Sequence, residues 1–588
     1  MIRVAQAEAA DGRLPRALAT ALPGLTMLRT YPRAWLRPDL FVGAAVAAYL
    51  IPQVLAYSGL VGVPAVVGLW GAVAAMAVYW LFGSSRLLSI GPESTIALMA
   101  GSVVGQLSGG DPQKAITLSA GLALVVAGWL FLAWLLRLGV IADLLSHPLL
   151  VGYLSGGAVL MVVGQLGRVT GVEVTGTTIV EQLRSFAGQV ADGAVNLPTL
   201  VVAIATLAIL FGIQAWRRTA PAPLIAVVAA TVVSAVMDLS ARGVAILGPV
   251  PQGLPTPHLP GLTWAELSSL ALAGLGVAVV GYSDNMLIGR AFARRGDHFD
   301  ANQELLALSA VHASVGLFSA YPVSSSGTRT ALAVSGRARS QVYSIVAMLL
   351  VVVVLLVAGP LIEDLPEAAL GAVVVFAARS LVSIPDYREL WRFRPTEFFL
   401  ALVTLVGTVW LGILAGVGIA IVLSLLEMTS RLSRPHDAIQ GFVPDIAGMH
   451  DVDDYPDAYT IPGLVVYRYD APLFFANAEN FRMLVVEAVD EYDTPEQPVR
   501  WVVLNVEANM HVDVTGIRLL VSLVRELQER GITVGLARVK HDLLAQLRRS
   551  ELFDLIGPDM VFPTLPTAVD AYRRWEAAQP DPPRRDPT

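Results

Sequence analysis

Between Asp39 and Met428 apolar runs of bilayer-spanning length follow one another almost without a break. Such runs read as membrane-spanning helices. A crossing needs roughly 20 mainly apolar residues. Spans are therefore expected near 39–57, 65–82, 92–107, 115–136, 146–166, 198–215 and 221–237. A second set follows near 267–289, 303–320, 325–335, 341–358, 366–381, 397–412 and 414–428. From Ser430 onward the charge density returns to that of a soluble protein, so an aqueous domain follows the membrane block.

Cytoplasmic loops accumulate Lys and Arg. The first thirty residues hold Arg3, Glu8, Asp11, Arg13 and Arg16 without a long apolar core, so no cleavable signal is expected and the N-terminus is placed in the cytoplasm. The inner loops then collect most arginines, from Arg29, Arg33 and Arg37 through Arg217, Arg218, Arg290, Arg294 and Arg295 to Arg431 and Arg434. The outer loops hold chiefly Lys114, Arg168, Arg184 and Arg242, and an even number of spans returns the C-terminus to the cytoplasm.

Several function classes are excluded. There is no cysteine, which removes thiolate metal sites and cysteine nucleophiles. The lysines Lys114 and Lys540 stand in no phosphate-cradling motif, so the chain is not itself an ATP-driven pump. A net charge of −7 without a basic stripe argues against nucleic acid. The 8 histidines are scattered, so no metal, cofactor or catalytic role is expected and the chain is not read as an enzyme.

The third segment of each half is abnormal. LLSIGPESTIALMAGSVV and SAYPVSSSGTRTALAVSG each carry a proline or a small polar cluster at membrane depth, with Pro92 and Pro322 in corresponding places. Interrupted helices at matching positions of two halves point to a transporter binding site. Two facing helix N-termini offer free N–H groups and positive dipole ends, which suit an anion. Pro92 fits the first helical position, Ser324 to Ser326 supply caps and hydroxyls, and Gly327 permits close approach. Arg329 either binds an oxyanion through its fork of donors or belongs to an inner loop with Arg337 and Arg339. Asp284, deep in its span, reads as a proton carrier or as a fixed ion-pair partner of Arg329. Glu93 either stabilises a helix N-terminus or titrates beside the substrate. Gln53 and Tyr57, after Pro52, could line the same cavity, with packing as the alternative for Tyr57. The pairs Gly152/Gly156 and Gly412/Gly416 read as close helix-packing positions.

IPQVLAYSGLVGVPAVVGLWGAV, YWLFGSSRLLSIGP, GRAFARRGDHFDANQELLAL and SSSGTRTA together resemble the SulP anion permeases over roughly Tyr31 to Trp575. The resemblance implies fourteen spans as two inverted repeats of seven, about 39–237 and 264–428, divided into core and gate domains that move by an elevator-type mechanism, and a homodimer. Carried over by motif, the substrate site would comprise Gln53, Tyr57, Glu93, Ser94, Ser326, Gly327, Thr328 and Arg329, with Asp284 as the coupling carboxylate. Aspartate at 284 where glutamate is common, and a titratable Glu93 where the family has a small or apolar residue, depart from the pattern.

Beyond the membrane block, GLVVYRY, RWVVLNVE and ITVGLAR read as strands, and AENFRMLVVEAVDEY and GIRLLVSLVRELQER as helices of a small α/β domain. DAPLFFANAENF and NVEANMHVDVTGIRLL resemble the STAS domain of SulP permeases. In related domains the turn from Asp513 to Gly516 can be phosphorylated, while Asp513 and Thr515 also suit a plain helix cap. The expected organisation is a cytoplasmic segment 1–38, a transporter domain 39–429, a STAS domain 436–576 and a disordered tail 577–588. The expected function is proton-coupled import of an oxyanion, sulfate foremost, across the cell membrane. Bicarbonate, C4-dicarboxylates, sodium coupling and a sensor signalling through a cytosolic partner of the STAS domain remain alternatives.

Overall fold

The computed structural model describes residues 22–139, 146–176, 178–217, 220–248, 253–293, 299–357, 359–509 and 511–579. The expectations for residues 1–21, for Arg218, Arg294 and Arg295, and for the tail from 580 lie outside the described residues. The chain divides into two units, with the boundary between Ser424 and Leu425.

Each of the fourteen expected spans holds a helix. The first half contains α1 (Leu36–Val61), α2 (Ala65–Phe82), β1 (Ile90–Gly91), α3 (Ser94–Ser108), α4 (Pro112–Leu135), α5 (His147–Gly164), α6 (Ile179–Ala191), α7 (Leu197–Trp216) and α8 (Ala222–Met237). The second contains α9 (Trp264–Phe292), α10 (Ala301–Leu317), β2 (Ser324–Ser325), α11 (Gly327–Ser335), α12 (Val342–Val357), α13 (Glu367–Ala378), α14 (Ile384–Phe393), α15 (Pro395–Leu411) and α16 (Ile413–Ser433). Among the described residues, 8 helical stretches are long and apolar enough to cross a membrane, and four more are apolar but shorter.

The elements named above follow the same order in both halves, in keeping with a repeat of seven spans. That order includes α6 and α14, which the spacing of apolar runs did not reveal. Both are amphipathic, so their apolar stripe is diluted by charge in any linear average. α6 begins on a reciprocal cap between Thr178 and Glu181, and α14 on Ser383, whose Oγ accepts from Asp386 N at 3.4 Å.

Glycines set the closest helix contacts. Gly152 and Gly156 of α5 lie against Ala401 and Thr408 of α15, and any side chain there would collide with them. Gly416 presses on the same Thr408. Gly412 corrects the expectation for its pair: its φ of +89° makes it the joint between α15 and α16, with open space where a Cβ would stand.

In the second unit a six-stranded sheet runs in the order β4-β3-β5-β6-β7-β8, with β3 at Asp437–Val443, β4 at Ile446–Asp451, β5 at Leu464–Tyr469, β6 at Trp501–Asn505, β7 at Thr533–Ala537 and β8 at Val561–Phe562. β5 to β8 are parallel and β3 is antiparallel to both neighbours. Alternate residues of β5 and β6 feed two apolar layers: Val465, Tyr467, Val502 and Leu504 pack with the helices α17 (Ala478–Tyr492) and α18 (Val514–Glu529). Leu464, Val466, Trp501 and Val503 pack with α19 (Leu565–Ala577).

Candidate functional site

β1 and β2 pair antiparallel in the buried interior of the membrane unit, Ile90 opposite Ser325 and Gly91 opposite Ser324. Ser326 N extends the pairing to the carbonyl of Ser89 at 2.9 Å. Extended backbone at this depth is thereby satisfied by the other half of the chain. Each strand leads straight into a half-helix, α3 or α11, so two positive helix ends leave one crossing point.

α3 starts later than expected. Pro92 is not its first residue, and Glu93 is its N-cap, with Oε2 accepting from Thr95 N at 2.7 Å and Oε1 from Ser94 Oγ at 2.6 Å. The extended run continues because the Pro92 carbonyl accepts from Arg329 Nη1 at 3.0 Å. Nor do the two prolines correspond: Pro92 adjoins the cap of its half-helix, whereas Pro322 precedes β2. Among Ser324 to Ser326 only Ser326 caps α11, accepting from Arg329 N at 3.4 Å and lying 3.2 Å from Thr328 Oγ1. Ser325 Oγ is buried without a partner.

Arg329 belongs to no loop; it is 0% exposed. Its guanidinium reaches across to the first half, Nε donating to Ser89 Oγ at 3.3 Å and Nη1 to Pro92 O. Nη2 is buried and has no hydrogen-bond partner. A Cβ added at Gly91 would stand 3.4 Å from that nitrogen, so the glycine keeps space open beside it. Asp284 does not pair with Arg329. Its half-buried carboxylate accepts from Ser324 Oγ at 3.3 Å, a hydroxyl also placed 3.2 Å from the Gly281 carbonyl.

Gln53 and Tyr57 are buried on α1, which runs unbroken through Pro52, and Gln53 Oε1 has no partner. Glu93 lies within electrostatic range of Tyr57, Asp284 and Arg329, which places the residues from α1, α3, α9 and α11 around one point. Ser94 is buried at the start of α3 and Thr328 is exposed on α11. A side chain at Gly327 would meet nothing nearer than Ile288 at 3.7 Å, so its helix end remains open. The arrangement presents an unpaired guanidinium nitrogen and two helix N-termini to an oxyanion, with two carboxylates nearby.

Sequence reasoning missed Tyr49, which interacts electrostatically with Arg329. Its signal was present, since 49, 53 and 57 are successive turns of one helix face. It also missed Ser89 and the fully buried Glu304 of α10, whose carboxylate accepts from Ser84 N at 2.8 Å, Ser84 Oγ at 2.7 Å, Tyr79 Oη at 3.0 Å and Asn285 Nδ2 at 2.8 Å. In the soluble unit Asp513 caps α18, accepting from Gly516 N at 2.7 Å and Phe475 N at 2.9 Å, and Thr515 is exposed in the first turn.

The sequence profile of the Sulfate permease family matches residues 36–404, and that of the STAS domain matches residues 455–568. A probable sulfate transporter of Mycobacterium tuberculosis is 48% identical over 553 residues, covering 94% of this chain and 98% of that protein. Human solute carrier family 26 member 6 is 32% identical across 78% of this chain and 63% of its own length. Among solved structures, the murine anion transporter SLC26A9 in its inward-facing state superposes with a TM-score of 0.87 at 23% identity, over 95% of both chains, a likeness of fold. Profile, relatives and fold agree: the chain belongs to the Sulfate permease family, as a multi-pass membrane protein with a C-terminal STAS domain.

Proposed function

We propose that this protein is a secondary active transporter that imports a small inorganic oxyanion, sulfate foremost, by proton symport across the cell membrane. The observation that carries the reading is Arg329, wholly buried, oriented by Ser89 and Pro92, and holding one guanidinium nitrogen without a partner. A charged group held at membrane depth with a free donor suits an anionic ligand. The name of the 48%-identical relative, a probable sulfate transporter, supports sulfate as that ligand. Gln53, Tyr57, Ser94, Ser326, Gly327 and Thr328 complete the binding site in this reading. Asp284 takes up the proton, with Glu93 as a second titrating group. Protonation reduces the cost of moving a dianion against a negative-inside potential, about 2.3 kcal/mol per charge per 100 mV.

The same reading has the protein work as a homodimer by elevator-type movement, with both termini cytoplasmic. In this reading Asp513 and Thr515 are the regulatory positions of the STAS domain, through a cytosolic partner or a modification. The test is uptake of labelled sulfate into proteoliposomes with and without an inward proton gradient, competed by bicarbonate, fumarate and chloride at two pH values. Gradient-stimulated uptake displaced by unlabelled sulfate is expected. Stimulation by sodium with no proton requirement would overturn the coupling, and binding without flux would favour a sensor.

A further inference from the structure

One buried polar group near this site belongs to a helix outside those that build it. Tyr153 of α5 is 2% exposed, and its hydroxyl oxygen is shielded from solvent without a hydrogen-bond partner. Nothing in the packing of α5 needs that hydroxyl, since a phenylalanine ring would fill the same space. A buried donor left unpaired lowers stability, so its retention calls for an acceptor absent from the resting protein.

The helix geometry says where that acceptor would sit. Tyr153 and Gly157 are one turn apart and share a face of α5. A Cβ at Gly157 would lie 3.5 Å from Ile413 at the start of α16 and 3.9 Å from Leu98 of α3, so this face of α5 lies between α16 and α3, and α5 packs on α3. Leu98 is one turn beyond Ser94, the first residue of the half-helix. Stepping back one turn along each helix brings Tyr153 to the opening end of α3. In keeping with this, the hydroxyl interacts electrostatically with both Glu93 and Asp284. Glu93 in turn lies within range of Tyr57 and Arg329.

We propose that Tyr153 is a further substrate-contacting residue, whose hydroxyl donates a hydrogen bond to the oxyanion held by Arg329 and the two helix ends. The inference rests on the anion-transport reading and deepens it: the ligand is gripped from both α11 and α5. An anion with several acceptor oxygens can take donors from two sides at once, whereas a site built on one helix pair alone would treat oxyanions of equal charge more alike. Tyr153 therefore contributes to affinity and selectivity.

The test is Tyr153→Phe in the full chain, reconstituted beside wild type and Tyr387→Phe. Tyr387 on α14 also has a buried hydroxyl, which faces Ser155 of α5, and it stands outside the site. For Tyr153→Phe the expected result is a KM for sulfate raised about tenfold at unchanged kcat, the size of one charge-assisted hydrogen bond. Its melting temperature without anion should be no lower than wild type, and Tyr387→Phe should keep the wild-type KM. An unchanged KM in Tyr153→Phe overturns the inference and leaves the transport reading intact. If wild type moves no anion, the transport reading fails, and equilibrium binding of labelled sulfate decides the role of Tyr153. Weaker binding by Tyr153→Phe then upholds the contact, while equal binding, or none by either protein, overturns it.

Discussion

Arg329 was legible as a residue type at an improbable depth, but not as a group with a vacancy. That distinction depends on where Ser89 and Pro92 lie, and no spacing rule joins positions 240 and 237 residues away. Lysine carries its donors on one nitrogen, which cannot stand at the three separate positions that Nε, Nη1 and Nη2 of Arg329 occupy. Arg329→Lys should therefore reduce sulfate uptake at least tenfold while the protein stays monodisperse, as uptake assays and size-exclusion profiles would show. Asp284→Asn removes the proposed proton carrier, and uptake by this variant should lose its response to an inward proton gradient. Glu304 escaped sequence reading because NQELL looks like the polar start of any helix. Its two carboxylate oxygens accept from Ser84, Tyr79 and Asn285, and Asn285 adjoins Asp284. Glu304→Ala leaves those buried donors unpaired, at roughly 1–3 kcal/mol for each. A clear fall in melting temperature is expected, and a melting curve like wild type would show that the cluster relaxes without it.

At the scale of elements, hydropathy located the helices and missed what joins them. Two-residue strands have no periodicity to detect, so β1 and β2 appeared only as interruptions in apolar runs. Their pairing is also why Pro92 is not helical, since its carbonyl serves the other half. Where α1 and α3 cross, Gly101 lies against the Leu60 carbonyl and Val61, leaving no room for a side chain. Gly101→Val must push α3 away from the helix that carries Gln53 and Tyr57. Overpacking of this kind costs about 1–3 kcal/mol. The expected outcome is a lower melting temperature together with a raised KM for sulfate. A change in melting temperature alone would mean that α3 yields without moving its N-terminus.

For the molecule as a whole, the division into an apolar block and a charged tail was plain from composition, and the three longer parallel strands of the tail from their β-branched runs. The edge strands were not: β4 is largely exposed and β8 is two residues long, so neither carries an apolar pattern. The domain motif from Asp513 to Gly516 was visible, and the structure gives it a capping geometry. Asp513→Ala removes two acceptor contacts and should destabilise the soluble unit by about 1 kcal/mol, seen as a shift in its thermal transition. KM for sulfate should not change.

The crossing of β1 and β2 also sets a schedule. The first strand edge is made long before its partner exists, and at roughly 5–20 residues per second the ribosome needs on the order of ten to fifty seconds to supply the second. Throughout that interval Ile90 and Gly91 expose unpaired amides and carbonyls in a half-built membrane protein. Biogenesis must therefore shelter the nascent first half until Ser324 and Ser325 arrive, and a mutation that slows synthesis between α8 and α9 lengthens the exposure without altering the finished transporter.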